Sequence, residues 1–284
     1  MSENLAWITG AGGLIGSHLL RLGPELAPGW EIVGLTRARL DLTQFDAVRR
    51  LFLEQCPRLL IHCAALSRSP ACQADPALAR RLNLDVTRFL AELAAEIPFV
   101  FFSSDLVFDG SRGNYVESDS PNPLSVYAET KLAAERIVLA NPRHTVVRTS
   151  LNGGASPTGD RGFNEELRLA WRAGRKLTLF TDEFRCPLPA AVTARAVWEL
   201  AAKHQPGLYH LAGAERLSRW QIGQLVAARW PHLHPQLEPG SIKNYAGPPR
   251  PGDTSLACAT IAGLLSFPLP GLSHWLAQHP DVVF

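Results

Sequence analysis

Short apolar runs alternate with longer amphipathic stretches through the first half of the chain. The runs are bounded by polar or glycine-rich residues, as expected for strands buried on both faces of a sheet. They are LAWIT (5–9), EIVGL (31–35), LLIHC (59–63), FVFFSS (99–104) and TVVRTS (145–150). Apolar residues recur at helical spacing between them, at 14–22, 43–55, 77–96 and 126–140. This alternation predicts an α/β fold with a doubly wound parallel sheet and right-handed crossovers.

The pattern becomes less regular beyond Ser150. The elements predicted there are helices at 163–174 and 217–230 and strands at 176–182 and 207–213. Ser218 is the expected N-cap of the last helix. The segment 231–252 is so rich in proline and glycine that we expect no regular structure in it. Whether this segment closes over a ligand is left open by the sequence.

Composition narrows the class of protein. The chain has 284 residues, 46% of them hydrophobic, which is enough for a substantial core. Its formal net charge of +2 provides no field that would favour nucleic acid or an anionic membrane. The polar start MSEN and the lack of a long apolar run argue against an export signal or a membrane span. We therefore expect a soluble cytoplasmic protein, and a small acidic ligand stays possible because a local pocket can be basic.

The five cysteines are scattered and include no C-x-x-C spacing. Such cysteines are typical of buried thiols in a reducing compartment, and they argue against a thiolate zinc site. His232 and His234 lie in a proline-rich stretch without acidic or thiol neighbours, so a loop is the better interpretation of that pair. We expect no metal site.

Glycines follow the first predicted strand in TGAGGLIG, with Gly10, Gly13 and Gly16 ahead of a predicted helix. Glycine allows a tight turn, a close approach of the backbone to a pyrophosphate and close helix packing, while the helix N-terminus favours an anion. A purely structural turn is the alternative. The strand-turn-helix context at the start of a βαβ series favours dinucleotide binding, and hence a Rossmann-like domain.

The end of the second predicted strand bears on the choice of cofactor. Sites for NAD commonly place an acidic residue there, but this strand is followed by Thr36, Arg37 and Arg39. An arginine can neutralise and hydrogen-bond a 2′-phosphate. The sequence therefore favours NADP and leaves NAD possible, since Arg37 could equally be a solvated turn residue.

A reaction centre is suggested where the fourth strand ends. Ser103 and Ser104 lie at the carboxyl edge of the predicted sheet, and the helix after it carries Tyr127 and Lys131 on one face. A serine hydroxyl can position a carbonyl oxygen, a tyrosine can protonate it, and a lysine can lower the tyrosine pKa. For Tyr-x-x-x-Lys alone, the alternative is an exposed aromatic ring beside a solvated charge.

The chain resembles the extended short-chain dehydrogenase/reductase superfamily and, more narrowly, the dTDP-4-dehydrorhamnose reductase (RmlD-like) family. The motifs that carry the resemblance are TGAGGLIG, LDLT, HCAAL, RLNLDVT, SSDLVFDG, PNPLSVYAETKLAAE, VVRTS and RPGDTSLACA. They occur in the order typical of the family. The resemblance is specific to about residue 150 and looser from there to the end.

The resemblance implies roles for individual residues. Ser104 matches the catalytic Ser/Thr, which is usually threonine, and Tyr127 and Lys131 match the catalytic pair, in which the lysine also holds the nicotinamide ribose. The cofactor set implied is Gly10, Gly13, Leu14, Ile15 and Gly16 at the phosphates, Arg37, Asp41 and Leu42 near the adenosine, and Ala64, Ala65, Ser103, Tyr127 and Lys131 elsewhere along the cofactor. Asn83 matches a supporting asparagine, although an ordinary polar helix residue is an equal alternative.

The substrate side departs from the family pattern. Pro70 and Gln73 stand at positions that are typically acidic, and Leu151 to Gly154 replace an aromatic-containing segment. These changes put the identity of the substrate in doubt more than the reductase centre. Four further residues could contact an anionic ligand, with surface salt bridges as the alternative for each: Arg148, Asp182, Arg185 and Arg250.

The function expected is NADP-dependent reduction of a nucleotide-linked 4-keto-6-deoxy sugar or a similar polar carbonyl compound. Epimerase or dehydratase chemistry on the same scaffold is a nearby alternative, and a cofactor-binding regulatory subunit without turnover is a more distant one. We expect residues 1–150 to form the NAD(P)-binding domain, with elements near 186–213 returning to it. Residues 151–284 would mainly form a smaller substrate-binding lobe, and a homodimer is possible.

Overall fold

The structure, a computed structural model, describes residues 4–282 and 284. The expectation of no export signal rests partly on residues 1–3, which lie outside the described residues. The strands of the described chain are β1 Leu5–Thr9, β2 Glu31–Leu35, β3 Leu59–His62, β4 Phe99–Ser104, β5 Thr145–Thr149, β6 Asn152–Gly153, β7 Leu177–Phe180, β8 Phe184–Arg185, β9 Leu188–Pro189, β10 Gly207–Leu211, β11 Leu217–Ser218 and β12 Leu237–Gly240.

The helices follow the same chain order. They are α1 Leu14–Leu26, α2 Phe45–Gln55, α3 Ser69–Ala74, α4 Pro76–Arg80, α5 Val86–Leu93, α6 Val126–Leu139, α7 Phe163–Arg172, α8 Ala190–Ala202, α9 Arg219–Ala227, α10 Ala259–Ala262 and α11 Leu272–Gln278. A π-helical turn at Arg81–Asp85 joins α4 to α5. None of the helices described is long and apolar enough to cross a membrane.

Six strands form one parallel sheet in the order β2-β1-β3-β4-β5-β10. The predicted α/β fold with a doubly wound sheet is therefore confirmed. The strand order reverses between β1 and β3, which is where such sheets open a crevice for ligands. Because all six strands are parallel, their carboxyl ends lie along one edge.

Alternate residues of β4 pack into two different cores. Val100 and Phe102 lie in the core under α1 and α8, whereas Phe99 and Phe101 lie in the core under α2, α5 and α6. Burying one such phenylalanine contributes about 1.5–3 kcal/mol relative to leaving it exposed. Both faces of the sheet are covered, which explains why the strand reads as a continuous apolar run.

A third core lies in the C-terminal part of the chain. It includes Leu167, Trp171, Ile222 and Trp275, from α7, α9 and α11.

Other C-terminal elements pack on the large sheet and its helices: β10 pairs with β5, and α8 packs on α1. Later elements thus complete the sheet layer while others form a separate apolar cluster. The division into a domain at 1–150 and a lobe at 151–284 stays a prediction.

The helix predicted at 77–96 is interrupted. Regular α-helix gives way to the π-helical turn at Arg81–Asp85, which contains the buried Asn83. Apolar periodicity alone indicates one helix because the π turn adds only a local bulge, and such bulges often occur at functional sites.

The expectation that 231–252 lacks regular structure is wrong in part. β12 lies inside this segment and pairs in parallel with β7, and short 3₁₀ turns flank it at Pro231–Leu233 and Ile242–Asn244. Pro239 is tolerated because a strand in a two-stranded ribbon has an unpaired side, where no backbone N–H is needed.

Candidate active site

The turn after β1 has a geometry that requires glycine. Gly10 has a φ of +67°, and a Cβ atom there would lie 2.6 Å from the amide nitrogen of Ala64, just after β3. A Cβ atom at Gly16 would collide with the carbonyl group of Gly10. Glycine at these two positions lets the chain reverse sharply and lets α1 pack closely on the turn.

We expect Gly10→Ala to lower the free energy of unfolding by roughly 1–3 kcal/mol, because the added methyl group meets both an unfavourable φ and the Ala64 backbone. Gly12→Ala is the matched control, since a Cβ atom at Gly12 meets only the Thr36 methyl group, at 3.7 Å. Urea denaturation of both variants measures the difference. Equal losses in the two variants would contradict the turn geometry.

The start of α1 can receive an anion. Gly13 is its N-cap, no described side chain caps this end, and the first turn with Leu14 and Ile15 contains no acidic residue. The amide groups and the helix dipole are therefore available to a phosphate. Ala64 and Ala65 are half-buried directly after β3, on the other side of the crevice. The pyrophosphate of a dinucleotide fits this arrangement of backbone donors and small side chains.

The end of β2 presents an exposed cation. The Arg37 side chain is 85% exposed, with its Nε 3.8 Å from Asp41 Oδ2. The Asp41 carboxylate also accepts hydrogen bonds from the Thr43 amide and hydroxyl, at 2.9 and 2.8 Å, and these bonds lower the pKa of Asp41. Leu42 packs against the core under α2. An exposed guanidinium in such a long ion pair can turn towards a phosphate.

The two serines at the end of β4 have different surroundings. The buried Ser103 hydroxyl has no hydrogen-bond partner among the described residues. The Ser104 hydroxyl donates to Asp105 Oδ1 at 3.2 Å and accepts a hydrogen bond from the Leu106 amide, also at 3.2 Å. Ser104 is therefore held in place at the carboxyl edge of the sheet.

Helix α6 brings Tyr127 and Lys131 to the same edge. Its N-cap is Ser125, whose hydroxyl accepts a hydrogen bond from the Ala128 amide at 3.3 Å. Tyr127 and Lys131 are only 9% and 3% exposed. They lie on one face of the helix, as residues four apart do. The alternative of an exposed ring beside a solvated charge does not fit this burial.

The surroundings of Tyr127 keep its phenol protonated. Burial raises the pKa of Tyr127, and the negative charge of Asp105 raises it further, while the Ser104 side chain acts in the opposite direction. A phenol with a raised pKa carries its proton at neutral pH and can donate it to a group that gains negative charge.

Lys131 is fixed against the end of β4. Its Nζ donates to the Phe102 carbonyl at 2.8 Å and lies 4.5 Å from the centroid of the Phe101 ring. Burial lowers the pKa of Lys131 to about 8, and neighbouring acidic groups limit the decrease. The side chain therefore stays mainly protonated at neutral pH, beside the strand that carries Ser104.

Asn83 links two parts of the site. Its Oδ1 accepts from the Leu66 amide at 2.8 Å, and its Nδ2 donates to the Leu66 carbonyl at 3.1 Å and to Thr130 Oγ1 at 3.0 Å. Leu66 follows the Ala64 region, and Thr130 precedes Lys131 on α6. Asn83 therefore connects the segment after β3 to α6 through hydrogen bonds, which is a more specific role than that of an ordinary polar helix residue.

Helix α3 occupies the segment that departs from the family's acidic pattern. Its Cys72 is fully buried in one apolar cluster with Tyr127, whereas Pro70 and Gln73 are exposed. This side of the site is thus apolar next to the phenol. Within residues 4–282 and 284, no group of three or more His, Cys, Asp or Glu side chains could hold a metal ion.

A buried ion cluster lies in the C-terminal segments next to Asp105. Glu183 is fully buried and contacts Arg185, Arg219 and Arg250 at 3.1, 3.0 and 2.6 Å. Arg185 also lies 3.6 Å from Asp105 Oδ2. Nη1 of Arg219 is buried without a partner in the described chain. Three guanidinium groups around two carboxylates leave a surplus of positive charge.

The four candidates for contacts to an anionic ligand have different surroundings. Arg148 forms a buried ion pair with Glu135 at 2.7 Å, which commits it to the core. Asp182 accepts hydrogen bonds from Ser241 and Ile242 and so fastens the segment after β12. The other two, Arg185 and Arg250, belong to the Glu183 cluster.

A family model described as the RmlD substrate binding domain matches residues 5–281. The chain belongs to this family. The resemblance inferred from the motifs is therefore confirmed, and the match extends well beyond residue 150, where the motifs are looser.

Two curated relatives of this RmlD-family chain carry different names. One is "Probable low-salt glycan biosynthesis reductase Agl14" from Haloferax volcanii, 32% identical over 78% of this chain and 78% of its own length. The other is "Methionine adenosyltransferase 2 subunit beta" from Xenopus laevis, 29% identical over 90% of this chain and 81% of its own length.

A solved structure shows the same fold. The dTDP-4-dehydrorhamnose reductase of Bacillus anthracis, described in complex with NADP, superposes with a TM-score of 0.86 at 24% identity, covering 97% of this chain and 98% of that one. The likeness at this level of identity establishes the RmlD-type fold, including the C-terminal elements.

Sequence reasoning missed several buried polar residues of this RmlD-family site. Asp105 directly follows Ser104 in the SSDLVFDG motif. Its position next to a predicted catalytic residue was a signal that could have identified it. Glu183 and Arg219 lie in the irregular half of the chain, where no periodicity assigns partners. Their association depends on tertiary packing.

Proposed function

We propose that this RmlD-family chain is an NADP-dependent reductase of a nucleotide-linked 4-keto-6-deoxy sugar or a similar polar carbonyl compound. The observation that carries the proposal is the convergence of Ser104, Tyr127 and Lys131 at the carboxyl end of β4: the Ser104 side chain acts on the Tyr127 hydroxyl, and Lys131 Nζ donates to the Phe102 carbonyl. The chain is an NAD(P)-dependent oxidoreductase, as its family and its reductase relative from Haloferax volcanii support.

The proposed chemistry divides between cofactor and protein. NADPH, when bound, supplies the hydride for the carbonyl carbon. Tyr127 donates its hydroxyl proton to the carbonyl oxygen as negative charge develops there, and the electron pair of the broken O–H bond remains on the phenolate. Lys131 stabilises that phenolate electrostatically, and Ser104 orients the carbonyl oxygen.

The cofactor contacts proposed follow the edge of the sheet from β1 to α6. The backbone donors at the start of α1 suit the pyrophosphate, and the exposed guanidinium after β2 suits a 2′-phosphate. The full set is Gly10, Gly13, Leu14, Ile15, Gly16, Arg37, Asp41, Leu42, Ala64, Ala65, Ser103, Tyr127 and Lys131.

We expect Arg37→Ala to weaken NADPH binding about tenfold and to leave NADH binding unchanged, because only NADPH has a 2′-phosphate for the guanidinium to bind. Arg50→Ala is the control, since Arg50 is an exposed arginine on α2. Fluorescence titration with each dinucleotide gives the two affinities. An equal change for NADPH and NADH would rule out a role in phosphate selection.

The charge of the C-terminal segments supports an anionic substrate. The cluster of Arg185, Arg219 and Arg250 around Glu183 has surplus positive charge and a buried, unpartnered Arg219 Nη1. Arginine binds phosphate groups through several donors at once. The diphosphate of a nucleotide sugar has the matching charge and acceptors.

The test of the proposal is NADPH oxidation with dTDP-linked 4-keto-6-deoxy sugars, followed together with product formation. A reductase consumes one NADPH for each product molecule, because the hydride leaves with the product. An epimerase or dehydratase regenerates its cofactor in each cycle, so product without net oxidation would favour that chemistry.

A regulatory role is the second candidate, because the methionine adenosyltransferase 2 subunit beta of Xenopus laevis matches 90% of this chain. The altered segment at α3 also leaves substrate recognition open. Buried Ser104, Tyr127 and Lys131 favour catalysis, since binding alone does not require a proton donor. Copurification with a large enzyme, together with no turnover on a broad carbonyl panel, would favour regulation.

The homodimer and the cytoplasmic location stay predictions.

A further inference from the structure

Asp105 connects the proposed reaction centre to the C-terminal segments. It directly follows Ser104 and is 3% exposed. Its carboxylate accepts hydrogen bonds from the hydroxyls of Ser104, Ser150 and Thr254 at 3.2, 2.7 and 3.1 Å. Arg185 Nε lies 3.6 Å from Oδ2. These four partners come from the ends of β4 and β5, from β8 and from the segment after Gly252.

The donors around these hydroxyls determine where their protons point. Arg185 Nη1 donates to Thr254 Oγ1 at 2.6 Å, and the Cys186 amide donates to Ser150 Oγ at 3.2 Å. Both oxygens act as acceptors there, so each hydroxyl has its own proton left for Asp105. A carboxylate only accepts hydrogen bonds, so the Ser104 proton also points towards Asp105.

Ser104 differs from the other two hydroxyls because its side chain also acts on the Tyr127 phenol. While its proton lies on Asp105, the Ser104 oxygen can accept from the phenol but cannot donate to a ligand. If the Ser104 hydroxyl rotates away, the carboxylate keeps Ser150, Thr254 and Arg185 as partners. The rotation therefore leaves no buried charge unpaired.

We propose that Asp105 is a positioning residue that holds the Ser104 proton in the resting site and releases it when negative charge develops on the carbonyl oxygen or on Tyr127. The inference rests on the proposed function. Arg185, itself held by Glu183, fixes the carboxylate and balances its charge. The C-terminal segments thus set the orientation of a hydroxyl at the reaction centre.

A purely structural tie between segments is the competing explanation for this burial. It predicts that loss of Asp105 lowers stability without changing proton transfer. The titratable groups that act on Tyr127 are Asp105 after β4 and Cys72 on α3, and Lys131 lies one turn further along the same face of α6. Neutralising Asp105 lowers the pKa of Tyr127 under either explanation, because the charge acts through space. The two explanations are therefore separated by kcat at the pH optimum, which a structural tie leaves unchanged in a variant that folds.

The first experiment compares Asp105→Asn with the wild type. We expect kcat to fall about tenfold or more while KM stays nearly constant, because the introduced amide presents donors as well as an acceptor to the hydroxyls. The alkaline limb of the pH profile moves to lower pH, because Tyr127 ionises more easily. Asp105→Glu, which restores the charge, returns that limb towards the wild-type position. Unchanged kcat at the pH optimum in a folded Asp105→Asn protein, or an unmoved limb, would overturn the proposal.

Glu199→Gln is the matched control. Glu199 also joins two segments through a serine, accepting from the Ser266 amide at 2.8 Å and hydroxyl at 2.5 Å, but it lies on α8. Glu199→Gln should leave kcat and the pH profile unchanged.

If Asp105→Asn does not fold, Ser150→Ala takes its place. This variant removes one donor from the Asp105 carboxylate, which then holds the Ser104 proton more strongly. We expect kcat to fall while KM does not. Unchanged kcat in Ser150→Ala would then count against the proposal.

A measurement without turnover separates this inference from the proposed function. In protein labelled with ¹³Cζ-tyrosine, Tyr127→Phe assigns the Tyr127 resonance in the NMR spectrum. Asp105→Asn is expected to shift that resonance, and Glu199→Gln is not. If the wild type shows no carbonyl reduction but the shift occurs, the proposed function fails and the link from Asp105 to Tyr127 stands. If the resonance does not move, the link itself is excluded.

Discussion

Tyr127→Phe is expected to lower kcat for NADPH-dependent carbonyl reduction by about 10²- to 10⁴-fold, the usual contribution of a positioned general acid. The variant keeps the ring that packs with Cys72 and Ala79 and loses only the hydroxyl. Folding and most of the cofactor contacts should therefore persist. Initial rates at saturating NADPH, with binding measured separately, assign the loss to the proton transfer.

Tyr209→Phe is the control for that experiment. Tyr209 lies on β10, and its hydroxyl donates to the Pro206 carbonyl at 3.2 Å, so the variant also loses one hydrogen bond from a tyrosine. Its kcat should stay near the wild-type value. If Tyr127→Phe keeps activity comparable to that of Tyr209→Phe, Tyr127 is not the proton donor.

Glu183→Gln is expected to lower the free energy of unfolding by about 3–5 kcal/mol, because it removes the charge that pairs with three arginines. Glu183 is fully buried, so Arg185, Arg219 and Arg250 would be left with too little negative charge around them. Urea denaturation gives the change. Glu238→Gln is the control: Glu238 pairs with Lys176 on the surface, where such pairs contribute about 0–1 kcal/mol.

The same residue makes stability depend on pH. Burial alone would raise the pKa of Glu183. The charge of Arg219 and the hydrogen bonds of Arg250 outweigh burial and lower this pKa from 4.5 to about 2. The stabilisation is therefore complete above the unfolded pKa and is lost as pH falls through about 2. Between these values the wild type should lose more stability than Glu183→Gln. If the free energies of unfolding of the wild type and of Glu183→Gln fall in parallel as the pH decreases, the fold does not stabilise the Glu183 carboxylate.

The sheet and most helices could be predicted because burial leaves local signals. Phe99–Ser104 is buried throughout and reads as one apolar run, and Ser218 caps α9 as its position before an amphipathic stretch indicated. The proposed reaction centre could be predicted for a similar reason, since a spacing of four places Tyr127 and Lys131 on one helical face. These features depend on residues close together in the chain.

The remaining features depend on contacts between distant segments. β12 forms because β7 offers it a partner, which the composition of a proline-rich segment cannot show. Glu183 and its arginines are charged residues that sequence reasoning places on the surface, because lone charges are rarely buried. Asp105 becomes part of the site only when Ser150 and Thr254 are brought to it by the fold.

Transfer of deuterium from 4-deuterated NADPH tests the reductase assignment most directly. The protein is incubated with a dTDP-linked 4-keto-6-deoxy sugar and with each of the two stereospecifically labelled cofactors, and the product is examined by mass spectrometry. We expect one label, but not the other, to appear at the reduced carbon, with one NADPH oxidised per product. If the protein binds NADPH tightly and yields no labelled product from any nucleotide-linked keto sugar, the proposed reductase activity is contradicted.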